Sequence, residues 1–254
     1  MSKIASWMGL IRSLIIYWRP GRQNTLRKFY SKLVSANDLV FDVGAHLGDR
    51  SSAFAWLGAK VVSIEPQPEI NKWLRRLVGR NRKITIIDEA LGGMVGTSQL
   101  AISQLTPTVS TVADSWKDRI VTANPSFSWV RWDHTVEVKV TTLDMLIATH
   151  GVPHYCKIDV EGYELDVLKG LSYKIDLISF EFVYGDIEAA ISCIEYLEGL
   201  GSYEYNIVIG EEKKFKLERW IYQREIIQML VSEESSSGDL YARLVNGLDC
   251  DKKA

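Results

Sequence analysis

The sequence predicts an α/β fold: a doubly wound, mostly parallel sheet with an antiparallel finish at its C-terminal edge. Three observations carry the prediction. Short, β-branched-rich runs alternate with helix-period segments through the middle of the chain, the pattern of parallel strands joined by crossovers. A parallel sheet of this kind is covered on both faces, and a hydrophobic content of 46% supplies the core. Beyond about residue 203 the alternation lapses, and three strand-like runs surround one helix.

Each element follows in order. Residues 3–19 hold Ile4, Met8, Leu10, Ile11, Leu14, Ile15, Tyr17 and Trp18, a strongly apolar helix. Up to Ala36 there are seven basic residues and no acid, while the remainder carries 23 basic and 32 acidic residues. Arg12 and the lack of a small-residue cleavage site argue against a signal peptide. A basic, Trp-containing amphipathic helix can lie on an anionic membrane surface. The same apolar face can instead pack on its own domain or on a second copy of the chain, giving a homodimer. The chain therefore divides into a basic helical arm, 1–36, and a domain, 37–254. "LVFDV" (39–43), "KVVSI" (60–64), "KITII" (83–87), "HYCKIDV" (154–160) and "LISFEF" (177–182) are predicted strands. Helices are predicted over 49–57, 68–78, 142–149, 163–169 and 186–200. At the C-terminal end, "YEYNIVI" (203–209), "KKFKLE" (213–218) and "DLYARLV" (239–245) are strand-like around a helix at 219–231, and "SEESSSG" (232–238) is a polar loop.

Several function classes are excluded or disfavoured. No apolar run is long enough to span a bilayer. Cys156, Cys193 and Cys250 have neither metal spacing nor a disulfide pattern, which predicts a reducing, cytoplasmic setting, with the arm as a peripheral contact at the inner membrane face. Beyond the arm the chain is acidic, so nucleic acid is not a predicted partner.

In a doubly wound sheet, ligands bind beyond the carboxyl ends of the strands. The first such turn, "FDVGAHLGDRS" (41–51), places Gly44 and Gly48 where the backbone passes close to a ligand at a helix N-terminus. It has G-x-x-x-G, not the dinucleotide G-x-G-x-x-G, and Asp42 before it suits a cationic ligand better than a pyrophosphate. Glu65, followed by Pro66, ends the second strand 17 residues after Gly48, near the roughly 20 expected for a ribose-binding acid. A nucleoside-type cofactor fits these signals taken together.

The stretches "DLVFDVGAHLGD", "VVSIEPQPE", "EALGG", "VTTLDML" and "KIDVEGYELDVLKGL" occur in the order found in FkbM-family methyltransferases, and over about residues 38 to 183 the chain resembles that family. The resemblance implies a Rossmann-like class I methyltransferase that uses S-adenosyl-L-methionine, usually to methylate a hydroxyl of a saccharide or another small metabolite. It implies that the loop of Asp42, Gly44, Ala45, His46 and Gly48 takes the methionine part, that Glu65 and Pro66 take the ribose, and that Glu89 and Ala90 border the adenine. Alternative acceptors are a protein, a lipid or a nitrogen, and a non-catalytic adenosylmethionine-binding scaffold is the alternative outside enzymes.

Methyl transfer is an in-line displacement, so the protein aligns an oxygen nucleophile and helps remove its proton. Asp159 is the first candidate for a carboxylate at the reaction centre, anchoring the cofactor's amino group or orienting the acceptor. Glu161 and Glu181 follow, and His46 is the candidate histidine. A helix-capping interaction is the competing role for Glu161. Several acids in one cleft have the chemistry for Mg²⁺, but no compact metal-ligand spacing appears and no metal is predicted. Between about 104 and 134 a long loop holds Trp116, Phe127, Trp129 and Trp132, expected to form a substrate loop because sugars stack on such rings.

Overall fold

The computed structural model describes residues 3–103, 106, 110–113, 117, 120–122, 124, 128–232 and 237–245. Trp116 and Phe127, Cys250 and most of the polar run at 232–238 lie outside them.

Helix α1 (Lys3–Tyr17) and helix α2 (Arg22–Tyr30) precede the sheet. The alternating region then gives β1 (Leu39–Val43), α3 (Asp49–Trp56), β2 (Lys60–Ile64), α4 (Pro68–Val78) and β3 (Ile84–Ile87). After an intervening second sheet come α5 (Leu143–His150), β7 (Tyr155–Ile158), α6 (Glu164–Lys169), β8 (Leu177–Phe182) and α7 (Ile187–Leu200). The chain ends in β9 (Tyr203–Ile209), β10 (Ile221–Tyr222), α8 (Gln223–Ser232) and β11 (Gly238–Leu244). The main sheet has the order β10-β9-β11-β8-β7-β1-β2-β3. Strands β3, β2, β1, β7 and β8 are mutually parallel, and β11 inserts antiparallel between β8 and β9. The order switches at β1, whose neighbours are β2 on one side and β7 on the other. Crevices for ligands form at such switch points.

A second sheet was not expected. Strands β4 (Ala90–Leu91), β5 (Gly96–Ile102) and β6 (His134–Thr141) pair in the order β4-β6-β5. Its signal stands in the sequence: Val136, Val138 and Val140 alternate with Glu137 and Lys139. The expected strand at 213–218 is a correction in the other direction. Residues 211–220 are irregular and drape over β9, where Leu217 N donates to Asn206 Oδ1 (3.1 Å) and Asn206 Nδ2 donates to Leu217 O (3.0 Å). Phe215 leaves the alternation to meet Phe29, Trp220 and Tyr241 in the core.

The basic arm is packed on the sheet. Leu26, Phe29 and Tyr30 of α2 are buried with Val40, Phe54, Tyr155 and Tyr241. Buried Arg22 is paired with Asp49 (2.7 Å). Helix α1 is apolar around most of its circumference and uses one side for packing: Leu10, Leu14 and Trp18 meet Leu47, Ile70 and Trp73, and Trp18 Nε1 donates to Leu47 O (3.2 Å). The opposite side leaves Met8, Ile11 and Ile15 exposed, with Arg12 and Arg19 among them. No described helix is long and apolar enough to cross a membrane.

Candidate active site

A cleft opens at the carboxyl ends of β1, β2, β7 and β8. Its first wall is the turn after β1. Gly44, at φ +74°, lies so close to the next loop that a Cβ there would stand 1.8 Å from the Asp159 carbonyl oxygen. Gly44 N and Ala45 N both donate to Ile64 O, at 3.0 and 2.9 Å, which ties the turn to the end of β2. Asp42 does not reach the cleft. It is fully buried beneath it, accepts a hydrogen bond from Ser51 Oγ, and burial raises its pKa. Gly48 (φ +77°) packs on Leu74, and Ala45 faces the core.

Glu65 lines the cleft while each of its carboxylate oxygens accepts a backbone N–H, from His46 (2.9 Å) and from Gln67 (2.8 Å). These bonds lower its pKa, but burial outweighs them and pushes it up to about 7. Glu164 is likewise raised to about 7 by burial. The sign follows from linkage: both acids favour the folded state below the ordinary carboxylate range, and that contribution is lost as pH rises through about 7. Pro66 and Ala90 line the same wall; Glu89 is half-buried outside the lining. The His46 ring lies 4.9 Å from the Tyr17 ring of α1, and neither ring nitrogen has a hydrogen-bond partner among the described residues. Burial lowers its pKa to about 4, so it is neutral at physiological pH.

The opposite wall carries the acids. Lys157 Nζ, buried within β7, donates to Asp159 Oδ2 at 2.7 Å. Burial raises the Asp159 pKa, but Lys157 and Arg50 more than reverse this and hold it below its ordinary value. The pair's stabilisation is therefore present above the ordinary aspartate value and lost only as acid carries the pH through the lowered one. The turn that follows is closed by Glu164, whose Oε1 accepts Val160 N (3.1 Å) and Gly162 N (3.3 Å). That capping role is the one weighed for Glu161, which instead sits at φ +53° and lines the cleft. Glu181, at the end of β8, completes the wall. Burial, then neighbouring acids, raises both glutamates well above the ordinary range.

The cleft also contains residues that sequence reasoning passed over. Arg50 lines it with a buried Nε that has no hydrogen-bond partner among the described residues; its guanidinium pairs loosely with Glu211 at 3.9 Å and Asp49 at 4.0 Å. Its place in the first turn of the helix after the glycine loop was the available signal. Tyr17 arrives from a helix nearly thirty residues upstream, with no local signal at all. Of the aromatic loop, Trp129 is exposed with Arg12 stacked over its ring, and Trp132 packs beside Ala113, Ile120 and Val183.

The family profile described as Methyltransferase FkbM domain matches residues 42–237, from the end of β1 to the start of β11. The chain belongs to the FkbM methyltransferase family. The hexuronic acid methyltransferase AglP of Haloferax volcanii is 24% identical over 179 residues, spanning 68% of this chain and 67% of that protein. Among solved structures, precorrin-6y C5,15-methyltransferase from Geobacter metallireducens GS-15 aligns with a TM-score of 0.47 at 11% identity over 88% of each chain. Aeropyrum pernix fibrillarin, in complex with S-adenosyl-L-methionine, aligns with a TM-score of 0.42 at 11% identity over 83% of this chain and 68% of that one. In this FkbM enzyme the matched segment contains Asp159, Glu161 and Glu181 of the cleft's opposite wall and the whole glycine turn from Asp42 onward.

Proposed function

We propose that the cleft binds S-adenosyl-L-methionine and that the enzyme transfers its methyl group to a hydroxyl of a saccharide or related small metabolite. Glu65 is the observation that carries the cofactor reading. A buried carboxylate at the end of β2, fixed by two backbone N–H groups beside a glycine turn, retains lone pairs for two vicinal hydroxyls. Arg50 is the cation suited to the cofactor's carboxylate, and Asp159 the anion suited to its amino group. Glu161 and Glu181 then face the acceptor, placed to orient its hydroxyl towards the methyl group. The relative that acts on a hexuronic acid supports the saccharide class.

Calorimetry tests the cofactor assignment. Ribose hydroxyls donating to Glu65 favour its charged form, so cofactor binding near pH 7 should release a fraction of a proton, and affinity should rise between pH 6 and 8. Glu65→Gln should weaken binding by about 10- to 100-fold, the loss of one charge-assisted bond at about 1.5–3 kcal/mol, and should abolish that proton release. Unchanged affinity in the variant, or tight NAD binding by the native protein, sinks the assignment.

The exposed side of α1 supports a peripheral contact with an anionic membrane, where lipid-linked saccharides would be acceptors. Met8, Ile11 and Ile15 share that side with Arg12 and Arg19. Full-length protein should sediment with anionic vesicles at low salt and less so at high salt, since each surface cation contributes about 1 kcal/mol. Ile11→Glu with Ile15→Glu, placed on the side away from the core, should abolish sedimentation and leave cofactor affinity intact. Equal sedimentation of the double variant would rule out this face as the contact.

A further inference from the structure

We propose that Asp159, Glu161 and Glu181 form a binding site for one hard divalent cation, such as Mg²⁺ or Mn²⁺, at the carboxyl ends of β7 and β8. One carboxylate oxygen from each residue lies within 4.8 Å of the other two, and all three residues line the cleft. Oxygens bound to one such ion stand at most about 4–5 Å apart, twice the metal–oxygen distance, so side-chain rotation suffices to close the set. A second observation, independent of the clustering, points to a missing ligand. Glu181 is half-buried as a residue, but its Oε2 is shielded from solvent and has no hydrogen-bond partner among the described residues, which is costly for a carboxylate oxygen unless something binds it.

The surrounding charges fit. Lys157 is the cation that touches the cluster, and it is committed to Asp159 Oδ2, leaving that residue's other oxygen to the ion. Among the described residues no lysine or arginine pairs with Glu161 or Glu181. Asp239, opposite Glu181 across the β8–β11 ladder, adds a fourth acid to the same wall. Oxygen donors of this number select hard cations over soft ones, and three protein ligands leave positions for water or an acceptor hydroxyl.

Cation binding stands on these residues alone; its use in catalysis rests on the methyl-transfer reading. A hydroxyl bound to the ion loses its proton to water more readily. That oxygen then forms the O–C bond while the sulfonium S–C bond breaks and leaves a thioether.

The test uses full-length protein freed of metal with a chelator and titrated with Mn²⁺, the free ion being read by electron paramagnetic resonance. One saturable site is expected, with Mg²⁺ displacing Mn²⁺. Glu161→Gln and Glu181→Gln should each weaken Mn²⁺ binding about tenfold or more. Each variant removes one of several crowded like charges, so each should fold at least as well as the native protein. Absence of saturable binding to the native protein up to millimolar Mn²⁺ overturns the proposal, and so does native-like binding by both variants. Calorimetry with S-adenosyl-L-methionine on the same preparation separates the two readings. Cofactor binding without Mn²⁺ binding removes the ion and keeps the methyl donor; Mn²⁺ binding without cofactor binding does the reverse.

Discussion

Gly44→Ala is expected to leave the protein barely folded and unable to bind cofactor. A β-carbon at Gly44 would stand 1.8 Å from the Asp159 carbonyl oxygen and 2.9 Å from its carbon, both main-chain atoms. Neither partner is free to retreat. Gly44 N and Ala45 N are bonded to Ile64 O, and Asp159 N is bonded to Val43 O at 3.1 Å. The left-handed φ of +74° adds about 1–2 kcal/mol for any residue with a β-carbon. With the collision, the total should exceed about 3 kcal/mol, a large share of the roughly 5–15 kcal/mol that holds a domain folded. Gly48→Ala is the control. Its φ is similar, but its β-carbon would meet only side-chain ends, Leu74 at 2.5 Å and Val78 at 3.1 and 3.3 Å, and no main-chain atom. Thermal unfolding should rank Gly44→Ala far below Gly48→Ala, and a reversed order would refute the account of the turn.

That turn shows what is legible in the sequence. Gly44 and Gly48 follow an apolar strand and precede a helix, so their backbone role can be read locally. Glu65 and Asp159 are legible for the same reason, each standing at the end of a predicted strand. That β1, β2, β3, β7 and β8 run parallel follows from the alternation of strands and helices; their order in the sheet does not. What escaped depends on contacts between distant parts of the chain. Arg50 and Tyr17 enter the cleft because α3 and α1 pack around it, and no spacing rule connects residue 17 to residue 46. Asp42 carries the expected chemistry, but one strand position decides that it points to Ser51 beneath the cleft and not into it.

Local pattern misleads where a tertiary contact overrides it. "KKFKLE" alternates like a strand, but Phe215 is captured by Phe29 and Tyr241, and the backbone bonds to the Asn206 side chain. Helix α1 is apolar on both sides, so composition could not decide between core and surface. The answer is that one side packs on Leu47 and Ile70 while the other stays exposed. Glu161 and Glu164 are three residues apart with the same chemistry. Glu164 closes the turn through Val160 N and Gly162 N, and that frees Glu161 for the cleft.

Asp159→Asn should lower turnover by about 10²-fold or more, the scale for losing a group that orients or deprotonates a nucleophile. The structure adds a second expected effect. Lys157 is only 2% exposed and has Asp159 as its ion partner, so the variant leaves a buried ammonium uncompensated. Breaking such a pair from one side costs about 3–5 kcal/mol, whereas replacing both partners by groups of similar volume is close to neutral. Loss of activity in the single variant is therefore ambiguous between chemistry and folding. The double variant Lys157→Met with Asp159→Asn resolves it. Without the buried charge it should recover most of the native thermal stability, and if Asp159 serves the reaction centre it should remain as inactive as the single variant. Recovery of turnover together with stability would reduce Asp159 to a counter-ion for Lys157. Recovery of stability alone leaves the carboxylate facing the methyl donor, held in place by the lysine behind it.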